Sequence, residues 1–214
     1  MRAVVLGIGN TILSDEAAGV RAAEAFERAY VVPENVQVID GGTSGMELIE
    51  DLSNADLLIV LDVIKSGAAP GTLVRIAGDA IPVFFRRKLS PHQIGLPDVL
   101  ASLELLGTMP GEIIVHGVEP VSLELGLEMT ETVARCVPRL AELAAAELRS
   151  RGYELVDFRH PREGGDPRQR HLDSRLRGND GQAALDPRLR GNDEEVALDS
   201  RLRGNDGGPV AVVN

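Results

Sequence analysis

Residues 3–16 read AVVLGIGNTILSDE. The apolar run from Ala3 to Leu6 closes on Gly7, the pattern of a strand covered on both faces. Residues 7–14 then make a loop, and residues 15–30 place Ala18, Ala22, Ala25, Phe26 and Ala29 at three- and four-residue steps, which predicts a helix. Acidic residues in its first turn suit the helix dipole.

The alternation continues down the chain. Residues 36–40 predict a second strand, followed by the loop GGTSG and a short helix around residues 46–52. Residues 57–61, apolar throughout, predict a third strand and residues 72–76 a fourth. Residues 97–106 predict a helix opened by Pro97, where the missing N–H costs nothing. Residues 113–118 predict a fifth strand, and residues 130–151 a long Ala- and Leu-rich helix with Pro138 as a kink or a break. Strands alternating with helices imply an α/β, three-layer fold: a twisted, mostly parallel five-stranded sheet between helices.

Composition agrees with this fold and excludes some functions. Aromatics make up 3% of the chain and Trp is absent, so Ala, Val, Leu and Ile must fill the core. Net charge is −11, all of it carried by residues 1–157. Such a domain repels phosphate backbones, which speaks against a nucleic-acid ligand. Cys136 stands alone, so no intrachain disulfide can form, and its helical setting reads as a small buried hydrophobe. The N-terminus reads as a strand rather than a signal peptide, and no apolar stretch approaches the ~18 residues of a membrane span. A cytoplasmic protein without a membrane partner is expected.

Residues 158–214 differ in kind. LDSRLRGND, LDPRLRGND and LDSRLRGND recur from Leu172, Leu185 and Leu198 with a period of 13. Balanced charge and few large apolar residues predict a disordered tail. It resembles the translation of a palindromic intergenic repeat. Residues 1–157 are therefore taken as the functional domain.

The glycines of GIGNTI invite a dinucleotide-binding reading, with Asp40 ending the second strand. The third glycine of that pattern is replaced by Ile12, so close helix–strand packing is not expected. Asp15 and Glu16 would also repel a pyrophosphate at the helix N-terminus. The carboxyl edges of the strands offer a different constellation: Glu16, Asp40 and Asp62, with His92 just before a helix. Two carboxylates and an imidazole converging there suit a borderline divalent ion. Each also has a plain structural reading. Asp15 and Glu16 can stabilise a helix N-terminus, Asp40 and Asp62 can bond loop amides, and His92 can sit in a capped turn. His116, inside an apolar strand, reads as a satisfied core histidine. Thr43 and Ser44 lie in a glycine-rich loop without an identifiable base.

Four stretches, GIGNTILSDEAAGV (7–20), IDGGTSGMELIEDL (39–52), LIVLDVI (58–64) and LSPHQIGLPDVLASLELLG (89–107), together resemble the hydrogenase maturation protease family, nearest to the branch serving uptake hydrogenases. The resemblance spans residues 1–157. It implies an aspartyl-type endopeptidase that removes the C-terminal extension of a nickel–iron hydrogenase large-subunit precursor after nickel insertion. It further implies a divalent metal held by Glu16, Asp62 and His92, the nickel being supplied by the precursor. Asp40 becomes the candidate catalytic carboxylate, and Asp40, Gly41, Gly42 and Thr43 the substrate-handling loop. A monomer is expected. The competing readings are a non-catalytic nickel-binding maturation chaperone that uses the same ligands, and a nucleotide-dependent enzyme.

Overall fold

The computed structural model describes residues 1–81 and 95–158, and the backbone of residues 210–213. Residues 1–158 with 207–214 form one compact unit; the second unit, 159–206, lies outside the described residues. The elements of the first are strands β1 (Ala3–Ile8), β2 (Tyr30–Val31), β3 (Val36–Gly42), β4 (Leu57–Val63), β5 (Leu73–Ala77), β6 (Glu112–Val118), β7 (Val156–Asp157) and β8 (Val210–Val213). The helices are α1 (Ala18–Ala29), α2 (Ile49–Leu52), α3 (Leu96–Leu106), α4 (Glu131–Ala134) and α5 (Val137–Ser150).

The main sheet runs β3-β1-β4-β6-β5-β8. Neighbours among β3, β1, β4 and β6 are parallel, β5 is antiparallel to β6, and β8 lies parallel to β5. The five expected strands are thus present and mostly parallel, with β8 added at one edge by the tail's last residues. β2 and β7 form a separate antiparallel pair, too short for periodicity to reveal.

Strand alternation divides the core in two. Ala3, Val5, Ile59 and Leu61 face one way and pack with Ala22, Phe26, Leu140, Ala144 and Leu148 of α1 and α5. Val4, Leu6, Leu58 and Val60 face the other way and pack with Leu52, Val99, Leu100 and Leu103 of α2 and α3. The all-buried β4 confirms a strand covered on both sides.

Two local expectations are corrected, and one alternative is settled. The first helix begins at Ala18, because Ser14–Ala17 form a 3-10 turn entered through Ser14 at φ 46°. Of the kink and the break expected in residues 130–151, the break is present: they form two helices, with Pro138 in the first turn of α5, where it forfeits no intrahelical bond. Close helix–strand packing is also present despite Ile12, because Gly7 and Gly19 supply it. A Cβ on Gly7 would sit 2.5 Å from the Gly19 carbonyl oxygen and 2.7 Å from the Ala23 Cβ. A Cβ on Gly19 would overlap the carbonyl oxygens of both Ile8 and Leu61. The helix therefore rests backbone-to-backbone on β1 and β4.

Candidate active site

The carboxyl ends of β3, β1, β4 and β6 form one edge of the sheet, and the acidic candidates gather along it. Asp62 is the penultimate residue of β4 and is 6% exposed. Its Oδ1 accepts a hydrogen bond from the Val63 N–H at 2.7 Å. It follows Leu58 and Val60 in the alternation and so points to the α2/α3 face.

Glu16 sits half-buried in the 3-10 turn before α1, and that turn packs against β4. The turn also lies directly on Gly9, where a Cβ would run into the Glu16 carbonyl oxygen. Two abutting elements therefore carry Glu16 and Asp62. His92 lies outside the described residues.

Asp40 is placed differently. It pairs in register with Gly7, and β1 intervenes between its strand and β4. Two strand spacings amount to about 10 Å. It follows Val36 and Val38, which pack with the α1/α5 side, so it also lies on the face opposite Asp62. The register shift at Gly7/Ile8 then inserts a bulge at Gly41, and Gly42 turns at φ 45°. Asp40 Oδ1 accepts from the Gly42 N–H at 3.0 Å, Ser44 N–H donates to the Gly41 carbonyl at 2.7 Å, and Gly9 N–H donates to the Gly42 carbonyl at 2.9 Å. The two glycine loops are thereby tied together, with Asp40 and Thr43 exposed at the rim.

Asp15 has a role that sequence reading did not separate from that of its neighbour. Its carboxylate is fully buried and faces the loop after β6. It accepts from the backbone N–H groups of Val121 (2.9 Å), Ser122 (3.0 Å) and Thr130 (2.7 Å), and from the Thr130 hydroxyl at 2.9 Å. Burial pushes its pKa up, but the donated bonds from Ser122, Thr130 and Val121 outweigh this and hold it below the usual carboxylate value. Of the pair Asp15–Glu16, the first is thus a clamp, and the second sits half-buried on the turn that packs against β4.

Glu119, one residue past β6, is a further buried carboxylate at this edge. Its Oε2 accepts from the Ser66 N–H and hydroxyl, both at 2.6 Å, fastening the β4–β5 loop to the end of β6. Burial raises its pKa, the two Ser66 bonds lower it, and the net effect is downward.

His116 is 1% exposed on β6 and bonds Glu147 of α5 through Nε2 at 3.2 Å, while its Nδ1 has no partner among the described residues. Burial lowers its pKa, so it is a neutral, half-satisfied core histidine. Glu147 also receives Arg75 Nε and Arg151 Nη1, both at 2.7 Å. Burial opposes its charge, but these two arginines hold its pKa down to about 2. Cys136 is half-buried, donates to the carbonyls of Gly71 and Thr132, and has its thiol pKa pushed up by burial, which keeps it unreactive.

A model of the family described as "Hydrogenase maturation protease" matches residues 20–147. The chain belongs to the hydrogenase maturation protease family. The Hydrogenase 2 maturation protease of Escherichia coli K12 is 44% identical over 164 residues, covering 76% of this chain and 98% of the relative. The hydrogenase expression/formation protein HupD of Rhizobium leguminosarum bv. viciae is 40% identical over 157 residues, 72% of this chain and 78% of HupD. The solved hydrogenase maturating endopeptidase HybD from E. coli superposes with a TM-score of 0.70 over 74% of this chain and 98% of its own. The protease fold seen here is therefore that of its relatives, a mostly parallel sheet with helices on both faces. Among the described residues, no helix of the protease is long and apolar enough to cross a membrane.

Proposed function

We propose that the protein is an endopeptidase that removes the C-terminal extension of a nickel–iron hydrogenase large-subunit precursor once nickel is in place. The observation that carries this is the 44% identity over nearly the whole length of a Hydrogenase 2 maturation protease. Glu16 and Asp62, on abutting elements at the edge where α/β folds place their sites, support it.

Glu16, Asp62 and His92 would hold the divalent ion; two carboxylates and an imidazole match a borderline metal such as nickel or zinc. A bound ion supplies polarisation of a carbonyl and acidification of water. The Val63 N–H fixes one oxygen of Asp62, so the carboxylate is oriented before substrate arrives. The nickel belongs to the substrate, and an empty precursor is rejected because these groups then meet no cation. Asp40, about 10 Å and two strands away, is too far to share the ion. With Gly41, Gly42 and Thr43 it would instead position the extension at the rim, and hydrolysis by its carboxylate requires the scissile bond to lie over that loop. The protein is taken to work as a cytoplasmic monomer.

The test is the intact mass of nickel-loaded and nickel-free precursor after incubation with the full chain. Loss of a short C-terminal peptide from the loaded form alone is expected. Cleavage of both forms removes the nickel dependence, and tight binding without cleavage makes the protein a maturation chaperone. Normal processing by Glu16→Gln, Asp62→Asn and His92→Ala variants alike would exclude these three as the ion's ligands.

A further inference from the structure

The loop of residues 119–130 carries more exposed apolar surface than the fold needs. Val121, Leu125 and Leu127 are 51%, 81% and 77% exposed, and Ile12 on the facing loop is 51% exposed. A solvated loop gains nothing from such residues, and clustered they mark an interaction surface.

The loop is held in place rather than left to fluctuate. Asp15 takes N–H groups from both of its ends, as described. Its middle is bridged to the first loop: Gly126 pairs with Leu13, the Ser14 N–H donates to the Gly126 carbonyl at 2.7 Å, and the Gly126 N–H donates to the Ile12 carbonyl at 3.0 Å. The Ser14 hydroxyl donates to the Glu128 carbonyl at 3.1 Å, holding Ser14 at its left-handed φ of 46°. Leu125 and Leu127 flank Gly126, which is bridged to Leu13 and bonded to Ser14, the first residue of the turn Ser14–Ala17. The surface is therefore continuous with the turn that carries Glu16.

Charge narrows the occupant. Glu124 and Glu128, both exposed, alternate with the leucines, and the loop has no basic residue. A partner segment that fits presents apolar side chains together with basic ones. We propose that this clamped loop, with Ile12, receives the C-terminal region of the precursor as an apolar, basic segment, and that Leu125 and Leu127 are its anchoring residues. The inference rests on the peptidase reading given above and adds where the substrate is gripped. Preordering by Asp15 lowers the entropy lost on docking.

The experiment compares the full chain with Leu125→Ser/Leu127→Ser and with Val121→Ser, measuring precursor affinity and, separately, cleavage of nickel-loaded precursor by intact mass. Leu105→Ser is the control; Leu105 is 89% exposed near the C-terminus of α3, at the amino edge of the sheet. Loss of two leucine anchors is expected to weaken Kd and raise KM by about 10–100-fold with kcat little changed. Val121→Ser is expected to weaken both by about threefold to tenfold, and Leu105→Ser to change neither. All these side chains are exposed, so thermal unfolding should match wild type. Wild-type affinity and KM in both loop variants overturns the proposal. So does an equal loss in Leu105→Ser, which would make the effect nonspecific. If wild type binds precursor without shortening it, the peptidase reading fails while the affinity comparison still decides the surface.

Discussion

Replacing Asp15 by Ala tests whether the first acid of the pair is structural. The change deletes the acceptor of three backbone N–H groups and one hydroxyl at a fully buried position. Hydrogen bonds to a charged group contribute about 1.5–3 kcal/mol each, but the contributions do not add when the loop can swing out to water. A net cost of about 3 kcal/mol follows, and for a domain of this size it lowers Tm by about 6–12 °C. Asp15→Asn keeps one acceptor oxygen but turns an NH2 group toward the same donors, so it should lose about 2 kcal/mol. Thermal unfolding gives the magnitude. Hydrogen exchange gives the location, because the amides of Val121, Ser122 and Thr130 should lose protection while those of β4 keep it. A Tm within about 2 °C of wild type together with unchanged exchange at those three amides would refute the clamp.

Two further perturbations probe the scaffold. Gly19→Ala should destabilise by about 3 kcal/mol in urea titration, although Ala is the better helix former by about 1 kcal/mol, because the new methyl meets two strand carbonyls that cannot move independently; a neutral or stabilising result would mean that α1 does not rest on β1 and β4 as described. Glu147 has its pKa held down to about 2 against an ordinary 4.5, so its contribution, on the order of 2 kcal/mol, is fully present above pH 4.5 and is lost as pH falls from there toward 2. Urea midpoints at pH 7, 4 and 3 should therefore converge between wild type and Glu147→Gln as the acid range is entered, and a gap independent of pH would reject the assignment.

The sequence alone determined the five core strands, the main helices and the edge along which the acidic residues gather. The apolar run 57–61, the helical spacing of Ala18, Ala22 and Phe26, and Pro97 at a helix start are local signals, and each element was found where they placed it. Asp40 and Asp62 at strand ends, and Glu16 just after the first strand, already implied an acidic carboxyl edge. Tertiary structure decided partners, directions and faces. An apolar run carries no arrow, so β5 could not be read as antiparallel. Asp15 and Glu16 look alike in a helix's first turn, and only the return of residues 121–130 makes one a clamp. Glu119 finds Ser66 53 residues away, and no spacing rule reaches that far. Asp40 and Asp62 separate onto opposite faces because strand order inserts β1 between them and alternation, counted from a register set by pairing, turns them apart. Periodicity is a property of neighbouring residues, whereas register and burial are settled by which distant segments exclude water together.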